Sequence, residues 1–389
     1  MPAQMQLSDA TSQKRVHKFG EFDLLKAIAI LGLPAVHLIE EGVYHDFLSD
    51  GVLSLESVIV ALCMMGPSVF MICMGFTMGG ARSSPKIFLN MGVRFLMLGA
   101  LLNLVRWFIP AMILWAVRGD SPLKEIGFCL ASDIYFFVGF FCIFYALIRK
   151  LKINSTGLIV CSIVMLSLNT LLTPLTAKLD PGVIVDCLLG NIVYMSDTSC
   201  FPLLSWAIFP SVGIVLGDVL KKMDDERRGK FMTRLMVFSP MIFASFIIFL
   251  WSYDFDILKV MVSPLNDYIT DLPNVILMIT LALFLFGALY YPCKLLDKTR
   301  FMNFMVRIST YIVPFYLLQW VLVAWVFFCM DIFSMSSGAL SIEWYLLCVV
   351  VVTGLCIYVS IRHGVKANKF IARITSFRRR KRKTRKNKS

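Results

Sequence analysis

A lysine and a histidine, eleven residues apart on one apolar segment, have the clearest chemical potential in this chain. The segment from Phe22 to His45 reads FDLLKAIAILGLPAVHLIEEGVYH, with Lys26 near its start and His37 near the end of the apolar run. On an α-helix, at about 100° per residue, eleven residues return to nearly the same face. A rise of about 1.5 Å per residue separates the two side chains by about 16 Å, roughly half the hydrocarbon thickness of a bilayer.

Ionisable groups within a membrane are costly, which makes this pair a candidate functional site. The opposite interpretation needs no chemistry, because Lys26 can reach the headgroups and His37 can reach water from the two ends of the helix. As a general base, His37 would need an orienting carboxylate, and Glu40 and Glu41 follow it by three and four residues. Asp23, three residues before Lys26, is a candidate ion-pair partner for the lysine.

Two further titratable side chains are candidates for catalysis. Asp133, in the segment ASDIYFFVGF, is expected at a depth similar to that of His37, a turn or two from the outer surface. The carboxylate and the imidazole could form an acid/base pair, or equally a structural hydrogen bond. His45 follows the first apolar segment and is exposed enough to act on an extracytoplasmic substrate.

Basic residues near the predicted cytoplasmic face form a second group. Arg82 and Lys86 connect the second and third apolar segments, and Arg94 lies about two helical turns into the third. Together with Lys26 they would make a cationic entrance for a phosphorylated cytosolic ligand. Arg82 and Lys86 are also ordinary positive-inside residues, whereas Arg94 requires a partner within the membrane.

The elements that must position these residues are predicted to be membrane helices. Hydrophobic residues make up 58% of the 389 positions, charged residues 16%, and the mean hydropathy is +0.76, far more apolar than a soluble core requires. Windows of about twenty apolar residues predict ten spans, near 22–40, 55–79, 87–115, 126–148, 153–173, 201–220, 231–253, 273–293, 309–330 and 341–361. The predicted fold is an all-α polytopic membrane bundle.

The distribution of Lys and Arg predicts that both termini are cytoplasmic. Before the C-terminal tail, seventeen of them fall on the predicted inner segments and four on the outer ones, and thirteen more lie from Arg362 to Lys388. Such a tail is expected to contact anionic membrane lipids rather than nucleic acid. The predicted organisation is a cytoplasmic segment over 1–21, a transmembrane domain over 22–361 and a basic cytoplasmic tail over 362–389.

Several other classes of site are not indicated. The eleven cysteines include no C-x-x-C pair, so no metal site is predicted. No Walker or dinucleotide glycine motif and no serine nucleophile elbow occurs. The alternative to an enzyme is a transporter or flippase of a polar or lipid-linked solute, with the buried charges lining its path. The lack of an internal repeat disfavours that alternative.

Several of these segments resemble the transmembrane acyltransferase superfamily. Its first helix carries a basic residue, ten others and a histidine, as do Lys26 to His37 in FDLLKAIAILGLPAVH. Its second, third and fourth helices and a later segment are similar, in that order, to GPSVFMICMGFTMGGAR, MGVRFLMLGALLNLV, ASDIYFFVGFFCIFYALIRKLKI and FPLLSWAIFPSVGIVLG. Within the superfamily (membrane acyltransferase family 3), the chain leans towards the heparan-α-glucosaminide N-acetyltransferases and their bacterial relatives. Bacterial membrane O-acyltransferases share the same first helix.

The resemblance implies transfer of an acetyl group from cytosolic acetyl-CoA to a hydroxyl or amine of an extracytoplasmic or lipid-linked saccharide. We expect such a protein in the bacterial inner membrane. His37 would be the catalytic histidine, with His45 as its rival, and Glu41 or Asp133 would assist it. Lys26 would be its basic partner.

Two segments depart from the family pattern. The family has a paired-arginine motif near the third helix, where this chain has Arg82, Lys86 and Arg94 at wider spacing. The resemblance places Arg94 near the CoA site. In STYIVPFYLLQW, Gln319 stands where relatives often carry a histidine.

Overall fold

The computed structural model describes residues 19–38, 66–80, 83–119, 121–131, 133–176, 178–179, 181–196, 199–253, 272–332 and 342–374. Within these ranges every regular element is a helix and no strand is present. The α-helices, numbered in chain order, are α1 (Gly20–Leu38), α2 (Gly66–Met78), α3 (Pro85–Asn103), α4 (Ile109–Arg118), α5 (Leu123–Phe128), α6 (Ile134–Lys150), α7 (Ser155–Thr176), α8 (Val183–Leu189), α9 (Leu203–Trp206), α10 (Ile208–Leu220), α11 (Asp225–Ser252), α12 (Leu272–Leu296), α13 (Arg300–Thr310), α14 (Ile312–Ile332) and α15 (Ile342–Ile374). A π-helical segment, Leu104–Phe108, joins α3 to α4.

Seven helical stretches of the described chain are long and apolar enough to cross a membrane: 85–118, 155–176, 203–220, 225–252, 272–296, 312–332 and 343–374. They fall in seven of the ten predicted windows. The other three windows contain α1, which carries Glu21, Asp23 and Lys26 in its first two turns, and the shorter helices α2 and α6. The all-helical class is confirmed with seven candidate spans, while ten spans and cytoplasmic termini stay predictions.

Helix α1 lies between the two hydrophobic clusters of the bundle. The first cluster joins α2, α6, α7, α10 and α12, and takes Phe22 and Leu25 from α1. The second joins α13, α14 and α15, and takes Ala27, Ile30 and Leu33. A helix that buries apolar residues on several faces belongs inside a bundle. Most side chains of α1 therefore meet other helices rather than lipid.

Small residues permit a close contact between α2 and α10. Gly75 and Gly79 in one segment, and Gly213 and Gly217 in the other, each repeat at a four-residue spacing. A Cβ atom on Gly75 would overlap the carbonyl oxygen of Pro210, and one on Gly213 would overlap the backbone of α2. The two backbones thus touch, as small residues at this spacing allow in membrane helices.

Helices α3 and α6 also approach closely through glycine. A Cβ atom on Gly92 of α3 would lie 2.7 Å from the carbonyl oxygen of Gly139 in α6. At the far end of α3, the Asn103 side-chain amide donates to the carbonyl of Cys129, in the turn before α6, over 3.2 Å. These contacts hold the N-terminus of α6, where Asp133 lies, beside the π-helical segment that follows α3.

Candidate active site

His37 is buried near the end of α1, with only 7% of its surface exposed. Its imidazole ring packs on the indole of Trp320 in α14, with the ring centroids 3.7 Å apart and the planes inclined by 36°. The end of α1 is held from α15, where the Tyr345 hydroxyl donates to the carbonyl of Ala35 over 3.0 Å. That carbonyl is one of the last four of the helix, which lack a donor within it. Two neighbouring helices therefore fix the position of His37.

Trp320 also contacts Arg106, which the π-helical segment supplies. The guanidinium carbon of Arg106 lies 3.4 Å from the centroid of the Trp320 ring and 4.7 Å from that of Trp107. Aromatic faces attract cations, and the attraction is stronger where water is excluded. A single indole thus joins the histidine of α1 to an arginine about seventy positions later in the chain.

The π-helical turn around Arg106 has a local cause. The amide of Ile109 donates to the carbonyl of Leu104, one residue further back than in an α-helix. The carbonyl of Val105 would accept from the amide of Ile109 in an α-helix, or from that of residue 110 in a π-helix. The amide of Ile109 is used by Leu104 and Pro110 has no amide hydrogen, so neither bond forms. That carbonyl instead accepts from the indole nitrogen of Trp325 in α14 over 3.3 Å. Helix α14 therefore holds both the backbone and the side chain of this turn.

Asp133 completes the cluster from the start of α6 and is 5% exposed. One carboxylate oxygen, Oδ1, caps α6 by accepting from the Tyr135 amide over 2.9 Å. The other, Oδ2, accepts from the Tyr316 hydroxyl over 3.1 Å and lies 3.9 Å from Nη1 of Arg106. Arg106 and Trp320 connect this carboxylate to His37. Three helices and the π-helical segment thus bring a carboxylate, a guanidinium and an imidazole into one largely buried cluster.

This group has the parts that proton transfer and anion stabilisation require. An imidazole beside a carboxylate can accept a proton, because the carboxylate stabilises the resulting imidazolium. The Arg106 side chain is 12% exposed, so its guanidinium is only weakly screened by water and can stabilise negative charge that develops on a substrate oxygen. The structure thus connects His37 to Asp133 through Trp320 and Arg106, and the catalytic roles of both residues stay predictions.

Lys26 lies near the other end of α1 and forms the expected ion pair. Its Nζ is 2.9 Å from Oδ1 of Asp23, and the Ser309 hydroxyl donates to the same oxygen over 2.7 Å. The lysine side chain is 18% exposed, so it is partly accessible at this end of the bundle. Its role in binding a donor stays a prediction.

Two of the other predicted cations lie on the exposed side of α3. Lys86 and Arg94 are exposed there, whereas Gly92 and Gly99 of the same helix contact α6. Among the described residues, no hydrogen bond or ion pair is made by the Arg94 side chain. The structure therefore does not bring Arg94 together with the buried cluster. Arg82, Glu41 and His45 lie outside the described residues.

Three residues of the cluster were not anticipated as site residues. Arg106 lies in the middle of the window 87–115, where an arginine needs a partner by the same rule that singled out Arg94. Trp320 and Tyr316 had no comparable signal, because aromatic residues are common throughout membrane helices. Their importance follows from what they contact.

A sequence model of a family described as an acyltransferase domain, membrane acyltransferase family 3, matches residues 19–361. The match covers most of the chain and includes every residue of the buried cluster. No curated protein and no solved structure matches the chain.

Proposed function

The chain belongs to this family of membrane acyltransferases, and on that premise we propose that it acylates an extracytoplasmic or lipid-linked saccharide. The proposed donor is cytosolic acetyl-CoA, and the acceptor is a hydroxyl or amine of the saccharide. The proposed location is the bacterial inner membrane. There the basic tail would contact anionic lipids.

The observation that carries this proposal is the contact of His37 with Trp320, which also holds Arg106 beside Asp133. Acyl transfer needs a base for the acceptor and a positive group for the oxygen of the thioester. The cluster offers one of each within a single buried site. A solute pathway would instead need polar groups along its whole length, and these residues are gathered at one level.

In the proposed reaction, the acceptor oxygen or nitrogen attacks the carbonyl carbon of the thioester while His37 takes its proton. A bond forms between the acceptor atom and the acyl carbon, and the carbonyl oxygen becomes negatively charged beside Arg106. When the carbonyl reforms, the carbon–sulfur bond breaks. The CoA thiolate leaves and takes the proton from the imidazolium. Asp133 would stabilise the imidazolium while it exists.

The donor is proposed to enter from the cytoplasmic face. Lys26 would contact its phosphates from the inner end of α1, about 16 Å along the helix from His37. Arg82, Lys86 and Arg94 stay candidates for the surface that first attracts the nucleotide. A long, slender acyl carrier is suited to reach from that end to the buried base.

An assay of CoA thiol release tests the proposal. The purified protein is given acetyl-CoA as donor and a bacterial glycolipid extract as acceptor. We expect wild type to release thiol and to transfer radiolabelled acetyl groups to the extract. His37→Ala should lower both rates at least about 100-fold, because general bases contribute about that much or more. His363→Ala is the matched control, since that histidine is exposed on α15. It should behave like wild type.

Two outcomes would contradict the proposal. If folded wild type neither binds nor consumes acetyl-CoA, the donor is wrong. If His37→Ala transfers at a rate close to that of wild type, the assignment of the base is wrong, and His45→Ala becomes the next variant to measure.

A further inference from the structure

Gln319 is completely buried in α14, yet within the described part of the chain its side chain makes no hydrogen bond. Its exposure is 0%, and neither Oε1 nor Nε2 has a hydrogen-bond partner in the described structure. Burial of such an amide without partners costs free energy, so in most proteins a buried glutamine is bonded to a neighbour. The acceptor Oε1 and the donor Nε2 are therefore both available to a ligand inside the bundle.

The position of Gln319 relates it to the buried cluster. It lies three residues after Tyr316, which binds Asp133, and immediately before Trp320, which packs on His37. All three residues are on the buried part of α14, the helix that packs against α1 and the π-helical segment. Gln319 is therefore level with the proposed base.

The surroundings of Gln319 favour a slender ligand over bound water. One helical turn to either side on α14 are the buried residues Phe315 and Val323, which belong to the same hydrophobic cluster as Ala27 and Ile30 of α1. Buried waters usually make about three hydrogen bonds to polar groups. An apolar wall interrupted by one amide is better suited to a mostly aliphatic chain that carries amide groups of its own.

We propose that Gln319 binds the amide groups of the pantetheine arm of the acyl donor. The arm contains two amides along a thin chain, so Oε1 can accept from the N–H of one and Nε2 can donate to the carbonyl of the other. The arm would then run along α1, between Lys26 and His37, with its thioester beside Trp320. This inference rests on the proposed function, because it takes the donor to be a pantetheine thioester.

This role is tested by titration calorimetry, which measures the affinity of the full-length protein in detergent for two probes. Coenzyme A contains the arm, whereas adenosine 3′,5′-bisphosphate keeps the phosphorylated nucleotide without it. We expect Gln319→Leu to weaken binding of coenzyme A about 10- to 100-fold, because two buried amide groups of the arm lose their partners. Binding of the bisphosphate should stay unchanged, which also shows that the variant is folded.

Thr353→Val is the matched control. The Thr353 hydroxyl, on α15, is another buried polar atom without a hydrogen-bond partner in the described chain. Its loss should change the affinity for neither probe. Gln319→Asn, which keeps the amide on a shorter side chain, should recover part of the affinity for coenzyme A.

The outcomes separate this inference from the function beneath it. If wild type binds neither probe, both the proposed donor and this inference are wrong. If Gln319→Leu binds coenzyme A as tightly as wild type does, the inference is overturned while the proposed function stands. An equal loss for both probes in Gln319→Leu would also overturn it, since that result indicates a general disturbance of the site.

Discussion

Replacement of Asp133 by asparagine separates two roles of one side chain. Asparagine caps a helix about as well as aspartate does, so the hydrogen bond from the Tyr135 amide can persist. What is lost is the negative charge 3.9 Å from Nη1 of Arg106. Asp133→Ala also loses the cap and should be less stable than Asp133→Asn by about 1 kcal/mol.

The distance sets the size of the effect. For unit charges 3.9 Å apart in an effective dielectric constant of about 20, Coulomb's law gives about 4 kcal/mol. The measured coupling should be smaller, because the charge that remains in each single variant keeps another contact: the guanidinium with Trp320, or the carboxylate with the Tyr316 hydroxyl. The coupling energy between Asp133 and Arg106 should therefore lie between about 1 and 4 kcal/mol.

A double-mutant cycle of Asp133→Asn and Arg106→Met measures this coupling. The free energy of unfolding of each variant is obtained by titrating the protein in mild detergent micelles with a denaturing detergent. We expect the double variant to be more stable than the sum of the single losses predicts, because neither charge is left buried alone. Acetyl transfer should fall to about 1% of wild type or lower in all three variants, since the charge facing the developing oxyanion is lost or misplaced.

Additive losses would refute this reasoning. If the two single losses sum to the double loss within about 0.5 kcal/mol, Asp133 and Arg106 do not stabilise one another as charges. If the double variant regains acetyl transfer together with stability, the cluster has only a structural role.

Two other predictions concern the packing that supports the site. Gly75→Ala should destabilise the protein by about 3 kcal/mol, because the added carbon meets the backbone of α10. Gly354→Ala is its control and should gain about 0.5 to 1 kcal/mol, since its new carbon meets nothing within 4 Å and alanine favours helix. Trp325→Phe leaves a backbone carbonyl of the π-helical segment without its donor, so it should cost about 1 kcal/mol and lower acetyl transfer. Trp344→Phe, at an exposed indole, should change neither quantity. Thermal unfolding and the thiol-release assay measure these effects.

Each pair of variant and control has a result that would contradict its prediction. Equal melting temperatures for Gly75→Ala and Gly354→Ala would mean that α2 and α10 are not in backbone contact. Wild-type transfer by Trp325→Phe would mean that the bond to the π-helical segment does not position Arg106.

Local features of the site were readable from the sequence because they depend on neighbours along the chain. Lys26 and His37 share a face of one helix through their spacing, and the ion pair of Lys26 with Asp23 follows from a three-residue separation. The helical, apolar character of the chain also follows directly, since backbone groups in lipid must satisfy one another within a helix. The start of α6 was not predicted: the window 126–148 places Asp133 inside a helix, whereas in the structure its carboxylate caps the first turn of α6 at Ile134.

The partners of these residues were decided by tertiary packing. Nothing near His37 in the chain indicates Trp320. Nothing near Arg94 or Arg106 indicates that the Arg106 side chain is only 12% exposed whereas Arg94 is exposed. In a soluble protein the apolar face of a helix marks the core, but in a membrane both lipid and protein accept apolar faces. Hydrophobic patterns therefore cannot tell which side of a helix meets its neighbours.

The sequence by itself thus determined which residues share a helix, and where charge would be costly unless it is compensated. Only the tertiary structure decided which helices touch, through glycines that bring α2 to α10 and α3 to α6. It also decided that a proline-linked π-helical turn presents Arg106 to Trp320. The physical reason is that contacts between helices depend on the shapes of both surfaces, whereas each segment of sequence specifies only its own.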